Sequence, residues 1–353
     1  MATNSDLIAA EAAHATFINR VAAGNAKKVA EFLEEAEAYV VKRLAREGDT
    51  IRNQARLNAV LRDVRKRLNA IYTRWEKLRD SDIAEIGPYE ANFQAGLLGK
   101  FTGDAELAVP SDAQILKAAQ SKPLEIGRAG AAVSFDSVLR EWKPSEIRLT
   151  NGVINSGFAL GQTTQEISQR IRREVMPISR RDSDAVVITA TNHMSNTAKV
   201  ETYQENSDIV IGYRLIATLD SRTTAQCKSW DQTVVLWEDD FKPSAPFHWS
   251  CRTQQVPELS EEFAKLERDA TRAAKGAEGG EKTSSTQQYY DWLNKQPASF
   301  QDDALGRERG LIFRNAGLSP NEFRKASVNR MGEPLTIAEM AQRDERIKEY
   351  IEN

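Results

Sequence analysis

Two cysteines and three histidines are all that 353 residues contain of these types, and three of the five gather in one short region. His248 and Cys251 sit together in "PFHWSCR" (246–252), and Cys227 lies upstream in "TLDSRTTAQC" (218–227). Thiolate and imidazole are soft and borderline donors that suit zinc. A structural zinc usually takes four ligands, so Cys227, His248 and Cys251 would need Asp220 or Asp231 to complete the shell. A Cys–His nucleophile pair would need a neighbouring base and an oxyanion hole, and the sequence shows neither. A Cys227–Cys251 disulfide is conceivable, although a reducing compartment would keep it open. The plainest reading has both thiols and the imidazole filling a small core with Trp230, Trp237, Phe247 and Trp249. The residues alone leave these readings open.

The elements around these residues form a small α+β unit. "DIVIGYRLIATLD" (208–220) is rich in β-branched and aromatic residues and predicts a strand, and "TVVLW" (233–237) predicts a second. Between them runs the polar turn that carries Cys227. After them, Pro243 and Pro246 bracket the loop that carries His248. Upstream, Thr163 and Glu166 form a capping-box signature for a helix over "TQEISQRIRREV", and a further helix is expected from about Ser183 to Gln204. Arg222 and Arg252 flank the motif, and tying the loop to Asp220 is the favoured role for them. His14 and His193 lie in helical patterns and are expected to be packing or surface residues.

Residues from about 5 to 100 read as helical. Val29, Leu33, Ala36, Val40 and Leu44 make one apolar stripe. Leu57, Leu61, Val64, Leu68, Ile71, Trp75 and Leu78 follow in alternating steps of four and three, a heptad seam suited to a hairpin or a coiled-coil partner. Arg62, Arg65, Lys66, Arg74 and Lys77 flank that seam. They are candidate contacts for DNA or an acidic partner, against the plainer reading of a solvated face with Asp63, Glu76 and Asp80 interleaved. The stretch 101–133 is irregular apart from a short helix near Ala113–Gln120. "KGAEGGEKTSST" (275–286) reads as a flexible linker, being small and polar. Short helices are expected beyond it.

With 48 basic against 51 acidic side chains, the formal charge is −3, so any polyanion-binding surface must be local. No apolar run approaches the length of a membrane span, and the N-terminus lacks a signal-peptide pattern. Synthesis in a reducing cytoplasm is expected.

"LDSRTTAQCKSWDQTVV" followed by "PFHWSCR" resembles the phage head-morphogenesis family, the Mu F-like minor head proteins. The matching positions are Asp220, Arg222, Thr223, Cys227, Asp231, Pro246, His248, Cys251 and Arg252. "NSGFALGQTTQEISQRI" (155–171) is similar to the family's helical lead-in. The resemblance implies a non-enzymatic minor capsid protein in the virion, at the portal vertex, acting in head assembly and in DNA packaging or delivery. The implied partners are the portal protein, other head proteins and DNA, with no membrane. The alternative is a zinc-dependent hydrolase or nuclease using the Cys/His/Cys cluster, and zinc is the one cofactor in view. The expected architecture is mainly α with a small α+β module. It comprises a helical arm (1–100), a connector (101–133), a head-morphogenesis-like module (134–274), the linker (275–286) and a helical tail (287–353).

Overall fold

The computed structural model describes residues 4–103, 107–124, 126, 131–261 and 270–352. Four helices open the chain: α1 (Asn4–Lys27), α2 (Val29–Ala45), α3 (Gln54–Ala84) and α4 (Ile86–Thr102). Asn53 caps α3 by accepting the Arg56 N–H. The apolar stripe of α2 is buried as its spacing predicts. In α3, Leu57, Val64, Leu68, Ile71 and Trp75 are buried, Leu61 is partly so, and Leu78 at the far end is exposed. The seam pairs within the chain. It packs against α2, and against two later helices, over Trp142–Ala159 and Met176–Glu205, in one core running from Ala26 to Ala198. The arm thus shares its core with the segment expected to be a separate module.

The connector is ordered where it is described. A Ser111–Gln114 capping box starts α5 (Asp112–Ser121), which buries Ile115 and Ala119. Parts of the stretch read as irregular (104–106, 125 and 127–130) lie outside the described residues. Next come α6 (Phe135–Arg140), α7 (Trp142–Ala159) and α8 (Thr164–Arg170), the last begun by the expected Thr163–Glu166 box. A π-helical turn, Ile171–Val175, joins α8 to α9 (Met176–Glu205). Between Thr189 and Val200 every residue of α9 is buried, although most are polar. With α1, α2, α3, α4, α5 and α7 around the helix, this stretch has no solvent face, so no amphipathic stripe could mark it.

The chain then forms β1 (Val210–Ile216), α10 (Ala225–Trp230), β2 (Val234–Leu236) and β3 (Gln254–Leu259). The antiparallel sheet has the order β2-β1-β3, with Tyr213 opposite Val235 on one side and Pro257 on the other. The third strand, "QQVPEL", was not expected. It carries a proline and lacks alternation, which an edge strand tolerates. Gly212 is required where β1 meets β2, because a Cβ there would run into the Val235 carbonyl.

The flexible linker expected at 275–286 is corrected by the structure. Its residues belong largely to a hairpin of β4 (Thr271–Gly276) and β5 (Gly279–Ser284), closed by Ala277 and Glu278 with Gly279 at φ +114°. Small polar residues were read as slack, yet two glycines around a two-residue loop are also a hairpin signal. Arg272, Ala274 and Gly276 alternate inward. The hairpin joins the module through a Leu219–Ala274 bridge.

Six short helices complete the chain: α11 (Tyr289–Leu293), α12 (Ala298–Leu305), α13 (Arg307–Asn315), α14 (Pro320–Ser327), α15 (Ile337–Arg343) and α16 (Glu345–Glu352). They enclose a core that includes Tyr289, Tyr290, Trp292, Phe313 and Phe323. The tail is fastened to the module. Tyr289 donates to the Asp220 carbonyl at 2.7 Å, Arg324 to that of Ser229 at 3.0 Å, and Lys228 to that of Ala304. The protein is therefore mainly α with a small α+β module.

Candidate metal centre

Local chemistry brings the sulfurs and the imidazole together. Thr224 caps α10 by accepting the Cys227 N–H, so the first turn of that helix presents Cys227. The loop before β3 passes through a cis Ala245–Pro246 bond and a left-handed Ser250 (φ 60°). Its Cys251 N–H donates to the His248 carbonyl at 3.1 Å, and its Ser250 N–H donates to Thr189 Oγ1 on α9 at 2.9 Å. The loop is thus moored to the central helix.

The result is a compact triad. Cys227 Sγ lies 3.2 Å from His248 Nε2 and 3.6 Å from Cys251 Sγ, and the three ligand atoms all fall within 4.8 Å of one another. Both thiols are free and buried. His248 Nδ1 is 2.9 Å from the Trp249 carbonyl. A carbonyl can only accept, so Nδ1 carries a proton and Nε2 faces the sulfurs, as a donor when the ring is protonated and as a lone pair when it is neutral. Burial opposes ionisation of Cys251, but hydrogen bonds from Cys227 and His248 outweigh it and hold this thiol well below its usual range. Its hydrogen bond to Cys251, together with burial, pushes Cys227 the other way.

These distances suit a tetrahedral ion. Zinc–sulfur and zinc–nitrogen bonds of ordinary length would separate two sulfurs by about 3.8 Å, and sulfur from nitrogen by about 3.6 Å. The two separations from Cys227 need to open by only a few tenths of an ångström. The two aspartates considered as a fourth ligand are engaged elsewhere. Asp220 accepts two bonds from Arg252 (2.7 and 3.0 Å), one from Thr223 Oγ1 and one from the Arg222 N–H. Asp231 accepts the Ala217 N–H at 2.8 Å and pairs with Arg272 at 2.7 Å, both side chains being buried. Arg252 takes the role expected of the arginines, whereas Arg222 is exposed and 3.7 Å from Asp220. The fourth position would go to a donor outside this set. A cavity of about 510 Å³ adjoins Cys227 and His248, lined also by Asn19, Thr218, Arg222 and Thr224 and by no carboxylate among the described residues.

Arg272 was missed as a site residue because nothing in "ATRAAKG" links it to Asp231, 41 positions earlier. Pro246 lies in the wall of a different cavity, beside Tyr213 and Trp237. His14 is buried, stacked on Phe93 at 3.6 Å and 3.0 Å from Glu90, and His193 is buried 2.9 Å from the Ala119 carbonyl. Of the basic residues on α3, Arg74 and Arg67 both pair with Glu35, while Arg62, Arg65, Lys66 and Lys77 make no ion pair among the described residues.

Residues 149–256 match the family model described as Phage Mu protein F like protein. No curated protein and no solved structure matches the chain. The matched span runs from within α7 to within β3. It holds the whole triad, Asp220, Asp231 and Arg252, and it stops short of the hairpin and the tail.

Proposed function

For a chain of the Mu F-like head-morphogenesis family, carried by residues 149–256, we propose the role of a minor capsid protein at the portal vertex, acting in head assembly and in DNA packaging or delivery. The observation that carries the reading is that this family segment holds the whole thiol–imidazole triad. Its Cys227–His248–Cys251 triad is packed between α10, α9 and the β3 loop, and its two aspartates are consumed by Arg252 and Arg272. In this reading the triad holds a zinc ion that clasps α10 to the loop, as a structural site does. The protein would reside in the virion and contact the portal protein and other head proteins. No described helix is long and apolar enough to cross a membrane.

One observation favours the alternative of a zinc hydrolase or nuclease: three protein ligands beside a cavity resemble a catalytic site with an open position. Such an enzyme also needs a general base near the metal-bound water. The cavity offers no carboxylate among the described residues, which supports the structural reading.

The test is co-expression with the portal protein of the same phage, followed by size-exclusion chromatography and native mass spectrometry with elemental analysis. The proposal expects co-elution at a fixed stoichiometry with one zinc per chain. A chain that runs alone and hydrolyses a phosphodiester or peptide substrate in a zinc-dependent way would favour the enzyme.

A further inference from the structure

Arg62, Arg65, Lys66 and Asn69 recur on α3 at the spacing of one helix face. That face opens onto a cleft of about 520 Å³, whose other wall carries Arg148 and Asn151 of α7. Four cations meet there, and no carboxylate lines the cleft among the described residues. All four side chains are exposed. Arg62, Arg65 and Lys66 make no hydrogen bond or ion pair within the described chain, and Arg148 reaches only the Ser145 hydroxyl, at 2.8 Å.

The contrast with the rest of these two helices is the informative part. Arg43 pairs with Asp63, Arg67 and Arg74 with Glu35, Arg79 and Arg140 with Asp80, and Lys143 with Glu76. Lys77, further along α3 and outside the cleft's lining, also stands without an ion pair among the described residues; what sets the cleft apart is that four cations gather there with no carboxylate in its lining among the described residues. A second, independent observation lies at its base: Asn151 is only 7% exposed, and its Oδ1 is buried without a hydrogen-bond partner. No acceptor within the chain takes its amide nitrogen either. The amide nitrogen is thus a spare donor in the wall of a cationic cleft, matched by a ligand that supplies oxygens, whereas Oδ1, an acceptor, takes no part in such a contact.

We propose that this α3–α7 cleft binds the phosphate backbone of duplex DNA. Guanidinium forks and amide N–H groups are the donors that fit phosphate oxygens and carry no base specificity. From Arg62 to Asn69 the helix rises about 10 Å, the advance of about three nucleotides along one strand. The choice of DNA over an acidic protein surface rests on the head-protein reading above. The sequence placed Arg74 in such a contact. The structure assigns that residue to Glu35 and brings in Arg148 and Asn151, which lie on a helix more than 70 residues away.

The experiment uses the full-length, zinc-replete chain and a fluorescein-labelled 20-base-pair duplex of arbitrary sequence, followed by anisotropy at 50 to 200 mM NaCl. With three or four phosphates neutralised, affinity should fall roughly 40- to 150-fold across that range. R148Q should weaken binding several-fold and reduce the salt slope by about one, R62Q/K66Q should reduce it by about two, and R74Q should leave it unchanged. Wild-type binding by R148Q and R62Q/K66Q would overturn the proposal. So would polyglutamate displacing the duplex as well as unlabelled DNA does, which would reassign the cleft to an acidic protein. Portal co-elution is read separately, so a cleft that fails to bind DNA leaves the head-protein reading standing.

Discussion

Cys227, His248 and Cys251 reach one point from a helix first turn and a loop, and the residues that hold them there are not the ones their spacing suggests. The cysteine and histidine types made the cluster legible. The tie of Arg252 to Asp220 was legible too, but the role of Asp231 was not, because a carboxylate near two sulfurs in sequence looks like a ligand until Arg272 is seen to claim it. A structural clasp makes Cys251→Ser a stability variant. It should lose stoichiometric zinc and, at free zinc a thousand-fold above Kd, about 4 kcal/mol of unfolding free energy. Urea melts of wild type and C251S, each with zinc and with chelator, check this; equal stability of the two with zinc present would remove the clasp. A second residue-scale expectation concerns Glu146. Burial, with a smaller push from Asp182, raises its carboxyl to about 7 despite the Ser179 hydroxyl. A group whose folded pKa is raised contributes stability below its unfolded value and loses it as pH rises, here between 4.5 and about 7. His193 acts oppositely. Burial lowers it from 6.5 to about 4 despite its bond to the Ala119 carbonyl, so its contribution is lost as pH falls through that window. The two slopes nearly cancel in the wild type. Glu146→Gln should match wild type near pH 4.5 and exceed it at pH 8 by on the order of 3 kcal/mol, and denaturant melts at both pH values read the difference.

Among the elements, legibility followed exposure. The α2 stripe and most of the α3 seam have one wet face and one dry face, so period and burial agree. The Thr189–Val200 stretch of α9 is buried throughout and carries Thr, Asn, Ser and Lys, held by bonds such as Lys199 to Glu11 at 2.7 Å and Gln254 to Asn192 at 3.1 Å. The N-terminal end of α9 was read short, from about Ser183, whereas the structure starts the helix at Met176 with Pro177 in its first turn. β4 and β5 escaped notice because their glycines looked like slack. The β1–β2 pair makes a sharp prediction. Gly212→Ala drives a methyl group into the Val235 carbonyl and should cost about 2 kcal/mol or more, where an exposed strand alanine would ordinarily cost little. A thermal melt and the amide exchange of Val234–Leu236 would show it, and an unperturbed β2 in the variant would contradict the packing described.

Over the whole molecule, the segments expected as arm, connector, module, linker and tail are knitted together. The core of α2 and α3 continues into α7 and α9, and the tail bonds to the turn that carries Asp220 and Cys227. Sequence patterns report each element's own surface, whereas these contacts join residues far apart in the chain, and so the assembly was the least legible level. A body whose segments share cores in this way is suited to a fixed seat rather than to a flexible tether. The most direct measurement is quantitative mass spectrometry of gradient-purified, DNA-filled heads, with this chain counted against the major capsid protein. The account predicts a small, constant number of copies per head. Absence from purified heads, with the chain abundant in the soluble lysate, would contradict it.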